Sequence, residues 1–405
     1  MNTVPETVFD PVRITAQPQA IAGCVAPEYY AAEVEHIFRR VWLNLCHGSE
    51  LPNPGDFLVK PVPTLGVEVI LLRRDDGGIN AFYNVCTHRG NKVVRTRDRG
   101  NARAFSCGFH GWTFDSAGAL IAAPDEAQFS GLERCAYGLK PLATAQWQGF
   151  VFVHPQSPAP QPLEEWLAEV AQNLEGGPLT ELVPTARFRA EVQVNWKVFS
   201  DAFCEGYHVA TIHRRSIADA FISQENPYCH LAGMRLYRHH SMVSVRGGNP
   251  NHRPTPTEML IGKFGGSSYG TGQEGGFDHL PAGLNPERVA DWNFDIVNLF
   301  PNFAIHVGAD FAYSYNFWPV AVDRTVWEVG IYQAPPRNWS QDVALNYMRI
   351  LLRDTLREDV NTTEATQANL MSGVLESIAL SRQEAVLSHR YQVVDTLLAE
   401  AGWRP

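Results

Sequence analysis

Two short segments constrain this chain more than anything else in it: Cys86-Thr87-His88 and, eighteen residues further on, Cys107-Gly108-Phe109-His110. Each puts a soft thiolate and an imidazole on one loop, and two such loops can clamp a metal from opposite sides. Two Cys and two His can hold a tetrahedral zinc. Structural zinc sites, however, favour Cys-x-x-Cys and His-x-x-x-His hairpins, with like ligands together. A mixed pair on each loop suits a two-iron cluster, the cysteines on one iron and the histidines on the other. That ligation raises the reduction potential above that of all-cysteine ferredoxins. Gly90, Gly108 and Gly111 permit sharp loops that bring backbone N–H groups towards the sulfides.

The texture around these loops is β-rich. Runs such as FLVKPV, GVEVILLRR and AFYNVC are separated by turn chemistry, notably Asp75-Asp76-Gly77-Gly78. WTFD and ALIAAP flank Ser116-Ala117-Gly118, and GFVFVHP closes the region, so residues 45–157 read as a small all-β domain. Before it, residues 26–42 have apolar side chains at helical spacing. After the Pro-rich joint 157–162 comes a helical pattern, LEEWLAEVAQNL, then five strand-like runs between ARFRAEVQV and TVWEVGIYQA that suggest one antiparallel sheet. A helix is expected near 196–220, and two more over 341–372 and 374–400.

The segment 195–215, NWKVFSDAFCEGYHVATIHRR, holds Glu205, His208 and His213. Two histidines and one carboxylate on one face of a metal, with the other positions open, is the arrangement of non-haem Fe(II) oxygenases. At about 100° per residue, His208 and His213 would lie roughly 140° apart round a regular helix. Both can reach one metal only if a bulge, kink or helix end falls between Val209 and Ile212.

CTHRG and CGFHGWTFD closely resemble the cluster loops of Rieske-type ring-hydroxylating oxygenases, and E-x-x-H-x-x-x-x-H, about 100 residues on, resembles their mononuclear-iron motif. The resemblance to the catalytic α subunit covers nearly the whole chain. It implies an α+β fold: a helical lead (1–44), a Rieske [2Fe–2S] domain (45–157) and a catalytic domain (158–405) with an antiparallel sheet flanked by helices. It implies Cys86, His88, Cys107 and His110 as cluster ligands, and His208 and His213 as ligands of Fe(II). Family resemblance makes Glu205 an acid that bridges a neighbouring subunit's cluster to this iron. Most members carry Asp there, while some, including those acting on quaternary amines, carry Glu. The third iron ligand is then expected in LLRDTLREDVNTTEATQ (351–367), at Asp359, with Glu358 and Asp354 as alternatives. These acids would otherwise form a solvated helix face with Arg353 and Arg357. The run 296–302 resembles a family strand beside the active site, although an apolar core strand explains it equally well.

The implied reaction is O2- and NAD(P)H-dependent hydroxylation or cis-dihydroxylation of an aromatic or other organic substrate, with a demethylase acting on a small amine or carboxylate as the alternative. Electrons would come from a separate reductase, with or without a ferredoxin. The chain would form a homo-oligomer, a trimer, with or without a β subunit. A Rieske electron-transfer protein is the reading from another class, but it leaves some 250 residues and the Glu205–His213 pattern without purpose.

A net charge of −10 argues against a nucleic-acid partner. No apolar run is long enough for a membrane span and no secretory leader is visible, so a cytoplasmic location is expected. Gly270-Thr271-Gly272-Gln273-Glu274-Gly275 matches G-x-G-x-x-G, but it sits in a Gly-rich stretch, 262–277, without the strand and helix that a dinucleotide site needs. Cys24, Cys46, Cys135, Cys204 and Cys229 read as buried structural thiols, and His239, His240, His252, His279 and His306 as satisfied surface or core groups. Arg89, Lys92, Arg95, Arg97, Arg99 and Arg103, against Asp98 alone, form either a rim for an acidic electron donor or a solvated loop.

Overall fold

The computed structural model describes residues 18–175, 178–180, 182–247, 249, 251–264, 280 and 283–404. The G-x-G-x-x-G stretch 270–275, His279 and residues 1–17 of the helical lead lie outside the described residues. The chain divides into two compact units, Phe38–Trp166 and a second made of residues up to Ile37 together with Leu167 onwards.

The smaller unit is β-structured. Seven antiparallel strands run in the order Leu43–His47, Phe150–His154, Pro141–Trp147, Ile79–Tyr83, Val67–Arg73, Asp56–Val62 and Arg99–Asn101. A second sheet joins Ala104–Ser106, Thr113–Asp115 and Leu120–Ala122. The register Val69↔Tyr83 to Arg73↔Ile79 follows from the turn between these strands. There Arg74 N–H donates to the Gly78 carbonyl at 2.8 Å and the Asp76 carboxylate accepts from Gly78 N–H at 2.9 Å, the local bonding that favours Asp in turns. Phe57, Ile70, Phe105, Trp112 and Phe114 form one core with the two cluster-loop cysteines, Cys86 and Cys107.

The larger unit carries the expected antiparallel sheet. Its order is Val183–Val192, Arg324–Gln333, Phe311–Ala321, Phe303–Val307, Trp292–Leu299, Ser241–Arg246 and Gly233–Leu236. Phe311–Ala321 is buried along nearly its whole length because the sheet packs under helix Trp339–Leu370, whose Leu352 and Leu356 join Tyr315, Phe317 and Trp327 in one core. Asn338 caps this helix by accepting a hydrogen bond from Gln341 N–H at 2.9 Å.

Three helical expectations need correction. The segment near 196–220 is three short helices, Trp196–Asp201, Val209–Ile212 and Ala218–Phe221, not one. Glu205 breaks it by taking the N–H groups of Tyr207 and His208 onto its side chain, bonds that compete with a helical ladder. The helix read over 374–400 begins only at Ala385, and Gly373, at φ +73°, ends the chain's preceding helical course. The helix read over 163–174 is broken at Ala168, which has φ +49°.

An ion pair lies inside the larger unit. Lys197 donates to Glu33, whose other oxygen takes the Trp196 indole N–H at 2.9 Å, and both charged side chains are essentially inaccessible. Removing one partner strands a buried charge. Lys197→Met should therefore cost about 3–5 kcal/mol, read as a fall in the urea midpoint, and Lys197→Met with Glu33→Leu should recover most of it.

Candidate metal centres

The two cluster loops have the same backbone plan although their histidines sit at different spacings. In each, the Cys N–H bonds to the carbonyl five residues on (Asn91, 2.7 Å; Trp112, 2.8 Å), and the Gly four residues on bonds back to the Cys carbonyl (Gly90, 2.8 Å; Gly111, 2.9 Å). Gly90 and Gly111 have φ of +78° and +72°, which explains why glycine occupies both positions. Gly108 does not adopt this conformation.

These loops leave Cys86 and Cys107 buried and His88 and His110 half-exposed, with the two imidazoles 4.6 Å apart. His88 stacks on Trp112 at 4.8 Å and 10°. Burial raises the Cys86 thiol. Burial also acts to raise Cys107, but backbone N–H groups of Phe109 and His110 and the Asn91 side chain outweigh it and bring that thiol down. Backbone N–H groups thus lie near both sulfurs, as around cluster thiolates. The Nδ1 of His88 is buried and has no hydrogen-bond partner, which is what a metal-binding nitrogen looks like without its metal. The four side chains fit a [2Fe–2S] cluster. Replacing His88 or His110 by Cys substitutes an anionic donor for a neutral one, so any cluster formed should have its midpoint potential lowered by roughly 100 mV or more. Redox titration checks this.

The basic residues between the loops are exposed, but not uniformly free. Lys92 pairs with Glu68 at 2.5 Å, and the Arg89 and Arg97 guanidinium groups lie over Phe109 and Phe57. Among the remaining thiols, Cys135 is exposed, contrary to expectation, and the other four are buried.

In the larger unit, one ligand atom each from His208, His213 and Asp359 lies within 4.8 Å of the others. Helix Val209–Ile212 is a single turn with the two histidines at its ends, so the break required by their spacing falls at the helix ends. Asp359 comes from the middle of helix Trp339–Leu370. Its Oδ1 is buried without a hydrogen-bond partner and stands 3.7 Å from His208 Nε2 and 3.2 Å from His213 Nε2. The opposite nitrogens are both engaged: His208 Nδ1 by Glu205 and His213 Nδ1 by Glu358, at 2.8 Å. Burial acts to lower His208, but the Glu205 hydrogen bond and charge raise it overall. Two Nε2 atoms and one unpaired carboxylate oxygen converging in a buried place fit a mononuclear iron.

The three acids considered for the third position separate cleanly. Asp354 is exposed and binds Arg353 at 2.8 Å. Glu358 faces His213 and also accepts from Ser216 Oγ at 2.6 Å. Only Asp359 reaches both histidines. The sequence reading missed Glu358 as an orienting group, although a carboxylate next to a ligand on the same helix is a usable signal. Glu358→Ala should weaken iron binding by about 10–100-fold, measured by titration with a ferrous chelator, while the Rieske absorbance stays unchanged.

A cavity opens on this site. Its walls are mainly apolar, with Phe294, Ile296, Tyr313 and Tyr315 from the sheet, Phe203 from the segment after helix Trp196–Asp201, and Leu352 and Thr355 from the long helix. Ile296 is the member of the run 296–302 that lines it. His306, expected to be a bland group, also lines it. That role had no sequence signal, because strand periodicity does not tell a cavity from a core.

No helix among the described residues is long and apolar enough to cross a membrane. Residues 41–144 match the Rieske [2Fe-2S] domain, and residues 179–400, more than half of the chain, match the ring hydroxylating alpha subunit (catalytic domain). The chain is similar to the large oxygenase component of the 2,4-dinitrotoluene dioxygenase system of Burkholderia sp. (strain RASC), at 38% identity over 46% of this chain and 42% of that protein. It is also similar to the carnitine monooxygenase oxygenase subunit of Acinetobacter pittii (strain PHEA-2), at 31% identity over 46% of this chain and 50% of that protein. The aligned part thus spans half or less of these relatives' length. The fold matches that of a quaternary ammonium Rieske monooxygenase at a TM-score of 0.75, with 22% identity over 97% of this chain and 98% of the other. A Rieske domain, a converging His–His–Asp set and the match over the catalytic domain together make this chain a member of the ring-hydroxylating oxygenase α-subunit family.

Proposed function

We propose that the chain is the oxygenase component of a multicomponent Rieske non-haem iron oxygenase that hydroxylates or cis-dihydroxylates an organic substrate with O2. The observation that carries this reading is the convergence of His208, His213 and Asp359 beside an apolar cavity, in a chain that also has a Rieske domain. An electron carrier needs no such cavity. Residues 45–157 would admit electrons, and residues 158–405, with the lead 1–44, would perform the chemistry.

In this account Cys86, His88, Cys107 and His110 hold the cluster, and His208, His213 and Asp359 hold the iron. When bound, the iron supplies O2 activation at its open positions, with electrons delivered by the cluster. The chain's own residues do the rest. Glu205 and Glu358 fix both imidazoles with Nδ1 engaged and Nε2 turned inward. Apolar side chains of the cavity exclude bulk water and hold the substrate by shape. The carbon presented to the iron then decides between hydroxylation, dihydroxylation and, where that carbon bears nitrogen or oxygen, dealkylation.

Glu205 is assigned the bridging role between a partner subunit's cluster and this iron, in a ring-shaped homo-oligomer, a trimer. Its side chain accepts from the backbone N–H groups of His208 and of Tyr207, whose ring is exposed, and Tyr228 near that ring is also exposed. A separate NAD(P)H reductase, with or without a ferredoxin, is the electron source, which fits a cytoplasmic setting where reduced nicotinamide is available.

The test is a single turnover of chemically reduced protein under ¹⁸O₂ with a panel of aromatic substrates. Labelled hydroxylated product, formed as the cluster reoxidises, supports the reading. Cluster reoxidation that no substrate accelerates, with no labelled product, contradicts it.

A further inference from the structure

We infer that His306 selects the substrate: its Nδ1 is a neutral hydrogen-bond acceptor in the iron-site cavity, suited to an uncharged ring compound that carries one N–H or O–H. The inference rests on the oxygenase reading and narrows it to a substrate class.

His306 lies on strand Phe303–Val307, with Nε2 3.1 Å from the Phe203 carbonyl oxygen. A carbonyl can only accept, so Nε2 carries the proton and Nδ1 keeps a lone pair. Nδ1 has no hydrogen-bond partner among the described residues. The side chain is enclosed by protein yet keeps accessible surface, and it lines the cavity. Burial pushes the imidazole down to about 4, so it is uncharged at neutral pH. The ring is held stacked on Phe294 at 5.2 Å and 12°, and edge-on to Tyr315 at 4.7 Å. An acceptor held this firmly, in walls that are mainly apolar, discriminates between ligands with and without a matching donor.

Charge narrows the class further. Among the described residues lining the cavity there is no Lys or Arg, while Glu205 and Asp359 are both present. A carboxylate would find no Lys or Arg to pair with, only an iron whose charge Asp359 and Glu205 already offset. A quaternary ammonium needs several open ring faces. Here stacking takes up one face each of Phe294 and His306, and Tyr315 gives one face to Trp327 at 6.2 Å and 9°, so fewer faces are open.

The test compares indole with indene, which have nearly the same shape and differ in the N–H. Dissociation constants are measured by calorimetry on the full-length, iron-loaded protein without reductant. Indole should bind about tenfold more tightly than indene. His306→Phe, which keeps a ring but no acceptor, should abolish the preference, and His306→Gln, which restores an acceptor oxygen, should recover part of it. Benzoate and tetramethylammonium should bind more weakly than indole. The inference is overturned if indene binds as well as indole, if neither binds, if the preference survives His306→Phe, or if either ion outcompetes indole. Because no turnover is involved, a protein that shows this preference yet never consumes O2 overturns the oxygenase reading alone. One that hydroxylates substrates without the preference overturns the substrate class alone.

Discussion

Asp359→Ala should lower bound iron from about three atoms per chain towards two, leave the visible Rieske spectrum unaltered, and reduce turnover on the order of a thousandfold or more. The two outcomes separate because the sites share no residue: the cluster loops lie in the unit Phe38–Trp166, while Asp359 lies on helix Trp339–Leu370. The carboxylate is irreplaceable locally. Asp354 is held on the exposed face by Arg353, and Glu358 is committed to His213 and Ser216. A variant that moved either acid into the ligand position would have to break those bonds. His208→Ala and His213→Ala should behave in the same way. Should Asp359→Ala keep its iron and activity while Asp354→Ala loses both, the assignment of the third ligand is wrong.

The second large effect concerns Glu205. Glu205→Gln keeps the size of the side chain but removes its charge. It also replaces one acceptor oxygen by a donor beside the N–H groups of Tyr207 and His208. His208 keeps its place at the end of helix Val209–Ile212, so iron binding should fall only modestly. Electron delivery should fall by about 10–100-fold, because in the proposed assembly this acid links His208 to His88 or His110 of the partner subunit. Stopped-flow reoxidation of the cluster in iron-replete protein, paired with the mass in solution, checks both parts. A fully active monomer, or a variant with unimpaired cluster reoxidation, removes the bridging role.

Much of the metal chemistry was legible in the sequence because it is local. Cys86 with His88, and Cys107 with His110, each lie within one tight loop, so spacing alone places their side chains together. The 140° argument for His208 and His213 expected a break between Val209 and Ile212; those residues form one continuous turn, and its ends fall just outside them, at the two histidines. What was not legible depended on the tertiary path. Nothing in LLRDTLREDVNTTEATQ tells which acid faces the iron. That follows from how Leu352 and Leu356 seat the helix on the sheet, turning Asp359 inward and Asp354 outward. The helix near 196–220 was overextended because periodicity does not reveal that Glu205 captures two backbone N–H groups. His306 went unnoticed because its significance lies in the cavity that Phe203 and the long helix enclose, not in its neighbours along the strand.

The central claim is that one chain holds both a cluster and a mononuclear iron. The most direct test is iron and acid-labile sulfide analysis of protein isolated anaerobically, before and after treatment with a ferrous chelator. About three iron atoms and two sulfides per chain are expected, with the chelator removing about one iron and leaving the Rieske absorbance intact. Two iron atoms and two sulfides per chain, unchanged after reconstitution with ferrous iron, would contradict the account and leave an electron carrier in its place.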